Sequence, residues 1–278
     1  MLNDLDEKRE RLLDLIRSFQ SCAVAFSAGV DSTVVAKAAQ LALGDRAVAV
    51  TGVSPSLAER ELDEARRLAE LIGIRHELIS TEEFSNVDYV RNAPDRCYHC
   101  KSELFTQMQS IAPRLNVEVI LSGANVDDAD DYRPGAKAAT EHQVRSPLAE
   151  CGINKDEIRQ LAAQWDLPIW DKPAMPCLSS RVAYGEEVTP ERLEMVDRGE
   201  QFLRDQGFPT VRVRYHRGDV ARVEVPAVDI AKLCEDDSRQ SLAEHLKGLG
   251  FRFVTLDLEG FRSGSLNTLV PIETRTNS

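Results

Sequence analysis

The chain has 278 residues, 42% of them hydrophobic, and carries 34 Lys and Arg against 46 Asp and Glu, a formal net charge of −12. That length suits two domains better than one, and the apolar content supports buried cores and excludes global disorder. The acidic balance argues against a nucleic-acid backbone as partner and leaves small anionic substrates open.

The opening stretch, MLNDLDEKRERLLDLIRSF, is charged and helix-patterned and lacks the apolar core of a secretory signal. No apolar run approaches the ~18 residues of a membrane span, so a soluble, cytoplasmic protein is expected. From there to about residue 170, β-like runs alternate with helical periods. CAVAF predicts a strand and STVVAKAAQLAL a helix, RAVAVTGV a second strand and SLAERELDEARRLAELIG a second helix. IRHELIS, VEVILSGA and a short run in HQVRSPLAE predict three more strands, with a helix over SELFTQMQSIAPRL. Asn154 and Glu157 are spaced as a reciprocal helix cap. Such alternation predicts a parallel sheet covered on both faces.

After residue 171 the texture changes. DKPAMPCLSSRVAYGEEV has no clean period and reads as a loop. A helix follows, capped by Thr189, opened by Pro190 and ended by Gly207. TVRVRYH and VARVEV form a hairpin by alternation, then a helix lies near AVDIAKLCEDDS and a last strand in FRFVTLDLEG. The expected division is 1–170 and 171–278, the second a smaller α+β domain.

Ser27-Ala28-Gly29-Val30-Asp31-Ser32 joins the first strand to its helix. Successive backbone N–H groups at a helix N-terminus suit phosphate oxygens. Gly29 would let the backbone approach, Ser27 and Ser32 add hydroxyls, and Asp31 would be reconciled with phosphate by Mg²⁺. A tight turn with a capped helix and no ligand fits the local chemistry equally well. Cys97 and Cys100 form a C-x-x-C pair, which suits one metal, a cluster, or two ordinary thiols near a helix start. Cys177 lies in the loop with Arg181 nearby, a setting for a nucleophilic thiolate or for a structural thiol. Cys22, Cys151 and Cys234 read as packing residues.

FSAGVDST resembles the SGGxDS pyrophosphate loop of the N-type ATP pyrophosphatases, which transfer AMP to a substrate oxygen and release pyrophosphate. Ala28 stands where a second glycine is usual, which limits only how closely the backbone wraps phosphate, provided its φ is negative. In order along the chain, FSAGVDST, RCYHCKSELF, LSGANVDDADDYRPG, VRSPLAE, PCLSSRVAYGEEVT, VRVRYH and LDLEGFRSGSLN closely resemble the LarE family. These are ATP-dependent sulfurtransferases of nickel-pincer nucleotide synthesis, and the match runs from about residue 20 to about 268.

The resemblance implies an adenine nucleotide alpha hydrolase-like first domain, 1–170, that binds ATP. It implies a second domain, 171–278, that carries Cys177 and serves substrate binding and oligomerisation. A pyridinium biscarboxylic acid mononucleotide would be adenylated on a carboxylate and then converted to a thiocarboxylate. Sulfur would come from Cys177 itself, leaving dehydroalanine, or from a 4Fe-4S cluster on Cys97, Cys100 and Cys177. With three cysteines present, the cluster version is expected. Gly52 and Val53 would meet adenine, with Gly123, Asn125, Asp128, Arg145 and Ser146 around the same nucleotide. Arg212 and Arg214, alternating on one strand face, would hold the substrate's phosphate, the bland alternative being a solvated face. Arg181 would screen the adenylate, and Glu200 and Glu224 would be surface carboxylates or lie in a subunit contact. The family implies a homo-oligomer. The rivals are a tRNA thiolase or an amide-forming synthetase of the same superfamily, and a non-catalytic ATP-binding sensor.

Overall fold

In a computed structural model of the chain, residues 4–130, 134–173 and 175–262 are described, with backbone only at 129 and 130. Parts of two quoted motifs, LSGANVDDADDYRPG and LDLEGFRSGSLN, lie outside these residues. The chain forms two compact units: one from residues 1–83 and 97–175, the other from 84–96 and 176–278.

The elements run α1 (Asp4–Arg17), β1 (Cys22–Ala25), α2 (Val30–Leu43), β2 (Ala47–Val53), α3 (Glu59–Ile72) and β3 (Arg75–Ser80). Next come α4 (Val87–Val90), α5 (Arg96–Leu115), β4 (Val119–Leu121), α6 (Pro134–Glu141), α7 (Pro147–Glu150) and α8 (Lys155–Gln164). The remainder is α9 (Pro190–Asp205), β5 (Arg212–His216), β6 (Val220–Glu224), α10 (Ile230–Leu233), α11 (Asp236–Gly248) and β7 (Phe253–Leu256).

In the first unit four parallel strands lie in the order β3-β2-β1-β4. Successive strand residues face opposite sides, and both sides are apolar. Cys22, Val24, Ala47 and Ala49 pack with buried residues of α1, α2, α3 and α8, whereas Ala23, Ala25, Val48 and Val50 pack with Phe105, Met108 and Ala138 of α5 and α6. This is the expected sheet covered on both faces, and its ligand-binding edge is at the carboxyl ends of the strands. The fifth strand shrinks to a single parallel bridge, Leu121 to Arg145. Gln143, at φ 55°, and Pro147, which opens α7, leave no room for a longer ladder. The Asn154–Glu157 capping box is formed as expected.

The second unit holds a three-stranded sheet, β5-β6 antiparallel and β6-β7 parallel. Val213, Tyr215, Ala221 and Val223 are its buried apolar side. α9 presses so close to α11 and β5 that a Cβ at Gly199 would come within 2.7 Å of Leu246 Cδ2. Thr189 caps α9, accepting from Arg192 N at 3.3 Å. The helix expected near AVDIAKLCEDDS is broken: α10 stops at Leu233, and α11, which the pattern did not reveal, starts at Asp236. Cys234 falls in the break and is exposed, not packed. Among the described residues no helix is long and apolar enough to cross a membrane.

Candidate active site

At the carboxyl end of β1, Phe26 N–H continues the ladder to Val50 O at 2.8 Å, and the chain then turns into α2. The turn is held by hydroxyls. Ser27 N–H donates to Ser32 Oγ at 3.2 Å, and Ser32 and Thr33 hydroxyls donate to Gly29 O at 3.1 and 2.9 Å. Gly29 occupies the cap position and supplies no side-chain cap bond to the first N–H groups of α2. The glycine is not where strain would demand it. Gly29 has φ −75°, whereas Ala28, fully buried, has φ +56°. The proviso of a negative φ at Ala28 therefore fails: the backbone takes the left-handed turn a second glycine would take, with a methyl group attached.

Asp31 is gripped by Lys155, whose Nζ lies 2.7 and 2.6 Å from its two carboxylate oxygens. Asn125 Nδ2 sits 3.5 Å from Asp31 Oδ1, Asn125 N–H donates to Asp128 Oδ2 at 3.0 Å, and Lys155 N–H donates to Asp127 Oδ2 at 2.7 Å. A Cβ on Gly123 would lie 2.8 Å from Ser32 N and 3.1 Å from Asp31 C. Gly123 is thus a glycine because two backbones touch there. Val53 O accepts from Thr81 N–H. Peptide directions alternate along a strand, so Gly52 N–H and C=O point to the β1 side, beyond the last β1–β2 pair, Ala25 with Val50. Arg145 is not brought to this loop: its guanidinium grips Glu150 and lies 5.2 Å over the Phe19 ring. Glu150 raises the Arg145 pKa, chiefly through that hydrogen bond.

Cys97 and Cys100 occupy the first turn of α5, three residues apart and so on one face. Cys97 is exposed and Cys100 half-buried, and neither is in a disulfide. α6 packs against this turn: a Cβ at Gly135 would reach Lys101 Cγ at 3.1 Å, and Tyr98 OH donates to Glu141 Oε2 at 2.6 Å. Within neither unit do three His, Cys, Asp or Glu side chains of the described residues gather as a metal-binding group.

In the second unit Cys177 is an exposed free thiol just before a tight turn, Leu178–Arg181. The carbonyls around it are held by guanidinium groups. Arg181 Nη1 donates to Pro176 O and, at 3.0 Å, to Cys177 O, while Arg214 Nη1 donates to Ser180 O at 3.1 Å. Arg181 is only 2% exposed, and its Nε lies 2.9 Å from Glu200 Oε1. Glu200 also accepts from Arg204 Nη2 at 2.6 Å and from Val213 N–H at 3.2 Å. Burial alone would raise its pKa, but Arg181 above all, then Arg212 and Arg204, hold it below the ordinary carboxylate value. Glu224 accepts from Arg214 and Arg222. Arg212 lies over the Phe261 ring, and burial, reinforced by Arg181, pushes its pKa down to about 10. Of the two alternatives for Glu200 and Glu224, that of surface carboxylates fails: both are fully buried. The solvated-face alternative for Arg212 and Arg214 fails likewise, since both are buried.

A family model described as NAD synthase matches residues 13–115. An uncharacterized protein of Synechocystis sp. is 47% identical over 266 residues, 96% of this chain and 99% of that one. Pyridinium-3,5-bisthiocarboxylic acid mononucleotide synthase of Lactiplantibacillus plantarum is 38% identical over 264 residues, 95% of each. The chain belongs to the LarE family. A tRNA-specific 2-thiouridylase of Zymomonas mobilis is 28% identical over 195 residues, 56% of this chain and 52% of that protein.

For this LarE-family chain the structure gathers Ser27–Ser32, Gly123, Asn125 and Asp128 about one helix N-terminus. It adds Lys155 and Asp127, which the sequence reading missed. One signal was available: a lysine at the first position of a helix opposes the helix dipole, so Lys155 needs an anion, and Asp31 supplies it. Arg181, expected to screen the adenylate, has its donors occupied by Glu200 and the loop carbonyls.

Proposed function

We propose that this enzyme, an ATP-dependent sulfurtransferase, inserts sulfur into a pyridinium biscarboxylic acid mononucleotide. The Lactiplantibacillus plantarum relative, a pyridinium-3,5-bisthiocarboxylic acid mononucleotide synthase whose full length this chain nearly covers, supports that substrate class. The uncapped start of α2 and the Ser27 and Ser32 hydroxyls would hold the β- and γ-phosphates of ATP, with Gly52 and Val53 at the adenine. Lys155 would move from Asp31 to a phosphate oxygen. Asp31, so released, would hold Mg²⁺, which would shield the phosphate charge.

A substrate carboxylate oxygen attacks the α-phosphorus, the bond to the bridging oxygen breaks, and pyrophosphate leaves. In the sacrificial route the Cys177 thiolate attacks the acyl carbon and the carbon–oxygen bond to AMP breaks, giving a thioester. Loss of the Cα proton with cleavage of the Cβ–Sγ bond then frees the thiocarboxylate and leaves dehydroalanine at 177, whereas a cluster would supply sulfide in place of that thiolate. Arg212 and Arg214 are buried on one strand of the second unit with Glu200 and Glu224, and they would hold the substrate's phosphate as a fork. The observation that carries the sulfur-transfer reading is Cys177, an exposed thiol on backbone pinned through its carbonyls by buried guanidinium groups. A packing cysteine needs no such presentation.

The donor set also fits a 4Fe-4S cluster. Three cysteines outside any disulfide stand at Cys97, Cys100 and Cys177, two of them on one face of a helix turn. Those three would hold it, and the iron they leave open would carry a replaceable sulfide. Anaerobic purification and reconstitution, followed by iron and sulfide analysis, tests this. No iron uptake, together with loss of H₂S from Cys177 after turnover, would establish the sacrificial route instead. Thiocarboxylate formation should vanish in Cys177→Ser, and its persistence would overturn the reading altogether.

A further inference from the structure

β2 reads Ala-Val-Ala-Val before it reaches Thr51, and all five residues are buried. Valine would fill the place of Thr51 without a polar atom, and a buried hydroxyl is unfavourable unless it is hydrogen-bonded. Thr51, 3% exposed, spends its hydroxyl on two partners. Its Oγ1 lies 2.8 Å from Phe26 O and 2.8 Å from Nε2 of His76, on the neighbouring strand β3. A carbonyl only accepts, so the hydroxyl proton goes to Phe26 O and His76 Nε2–H donates to Thr51. The half-buried His76 ring stands edge-on to the Phe26 ring, their centroids 5.7 Å apart at 89°. Burial above all, reinforced by Arg66, holds the His76 pKa below its ordinary value and keeps the ring neutral.

Phe26 O and Ser27 N–H belong to one peptide plane. Thr51 grips that plane at its oxygen, and Ser32 Oγ accepts from its N–H at 3.2 Å. The plane before it is held by the sheet, through Phe26 N–H to Val50 O. The Phe26–Ser27 plane is instead held by side chains, and Ala28, with φ +56°, follows directly. A plane fixed at both ends sets the direction in which the chain enters the turn.

We propose that Thr51, its hydroxyl aimed by His76, is a positioning residue that shapes the Ser27–Ser32 turn for the β- and γ-phosphates of ATP. This rests on the reading that the turn holds those phosphates. Neither side chain touches the nucleotide in this scheme. Both act through the Phe26–Ser27 peptide.

The test is calorimetric titration of the full chain, in Mg²⁺, with ATP, inorganic pyrophosphate and AMP. It compares wild type, Thr51→Val, Thr51→Ser and His76→Phe. In Thr51→Val the Kd for ATP and for pyrophosphate should rise on the order of 10-fold, the scale of one lost hydrogen bond. The Kd for AMP, which has neither β- nor γ-phosphate, should stay at the wild-type value. A merely structural role would lower the folded fraction and leave this selectivity unmoved. Thr51→Ser, which keeps the hydroxyl, should restore most of the affinity. His76→Phe keeps the ring contact but lets the Thr51 hydroxyl rotate, so the same two constants should rise by less. If Thr51→Val does not fold, His76→Phe decides. Equal changes for all three ligands, or none, in the deciding variant would overturn the proposal alone, as would a Thr51→Ser no better than Thr51→Val. A wild-type chain that takes up no pyrophosphate and binds AMP as tightly as ATP would overturn the reading of the turn, and the proposal with it.

Discussion

Replacing Glu200 by Gln tests the buried ionic cluster of the second unit at its most exacting point. Glu200 has no solvent exposure and accepts four N–H groups, two from Arg181, one from Arg204 and one from Val213. Glutamine keeps the volume, removes the charge and turns an amide NH₂ toward a guanidinium, donor against donor. Arg181 and Arg204 are left short of a counter-charge in a low-dielectric site, and removal of one partner of such a pair costs about 3–5 kcal/mol. An exposed pair would lose no more than about 1 kcal/mol. Urea unfolding followed by circular dichroism separates the two. The pH dependence gives a second reading. Because the folded pKa of Glu200 lies below its ordinary 4.5, its stabilisation is present above that value and is lost as pH falls through the folded pKa. The gap between wild type and Glu200→Gln should therefore be full at neutral pH and narrow below pH 4.5. A variant within about 1 kcal/mol of wild type at neutral pH, or a gap indifferent to acid, would refute the assignment.

Gly123→Ala should force Ser32 N and Asp31 C away from a Cβ that would otherwise stand 2.8 and 3.1 Å from them. The KM for ATP should rise while stability drops by about 1–3 kcal/mol, measured by pyrophosphate release and thermal unfolding. Ala28→Gly relieves a left-handed alanine, worth roughly 1–2 kcal/mol. It also loosens the unfolded chain by about 0.4–1 kcal/mol and removes one buried methyl, worth about 0.8 kcal/mol. Its urea midpoint should therefore stay close to wild type, and a large loss would contradict the positive φ. Lys155→Ala should leave the fold intact and cut the rate of pyrophosphate release on the order of 100-fold, as when a fixed electrostatic donor is removed from a reacting charge.

What the sequence disclosed, and what it hid, divides by locality. The turn from Ser27 to Ser32 was legible because strand period, small residues and helix period follow one another without a break. The same holds for the Asn154–Glu157 cap and the β5–β6 hairpin. Lys155 was hidden because its partner, Asp31, is 124 positions away. Arg212 and Arg214 alternate with valine and tyrosine, a pattern normally read as a wet face, yet the cover supplied by the Cys177 loop and Phe261 buries them. Glu200 gave no sign because an acidic residue in an amphipathic helix is ordinarily a surface residue. Asn92 could not be found at all: neither its positive φ nor the three carbonyls that its side-chain amide reaches leaves a mark on neighbouring residues.

The route of the backbone between the two units bears on how this protein can be dissected. It passes from one to the other at 83–84, returns at 96–97 and passes again at 175–176. No single incision yields two complete halves. A fragment beginning near residue 171 would lack Tyr89 and Arg96, the partners of Ser179, and Asn92, whose loss leaves the carbonyls of Val182, Ala183 and Glu186 without their amide partner. During synthesis the short 84–96 piece emerges well before the residues it must bind, so the Cys177 loop is completed late, around a component already waiting for it.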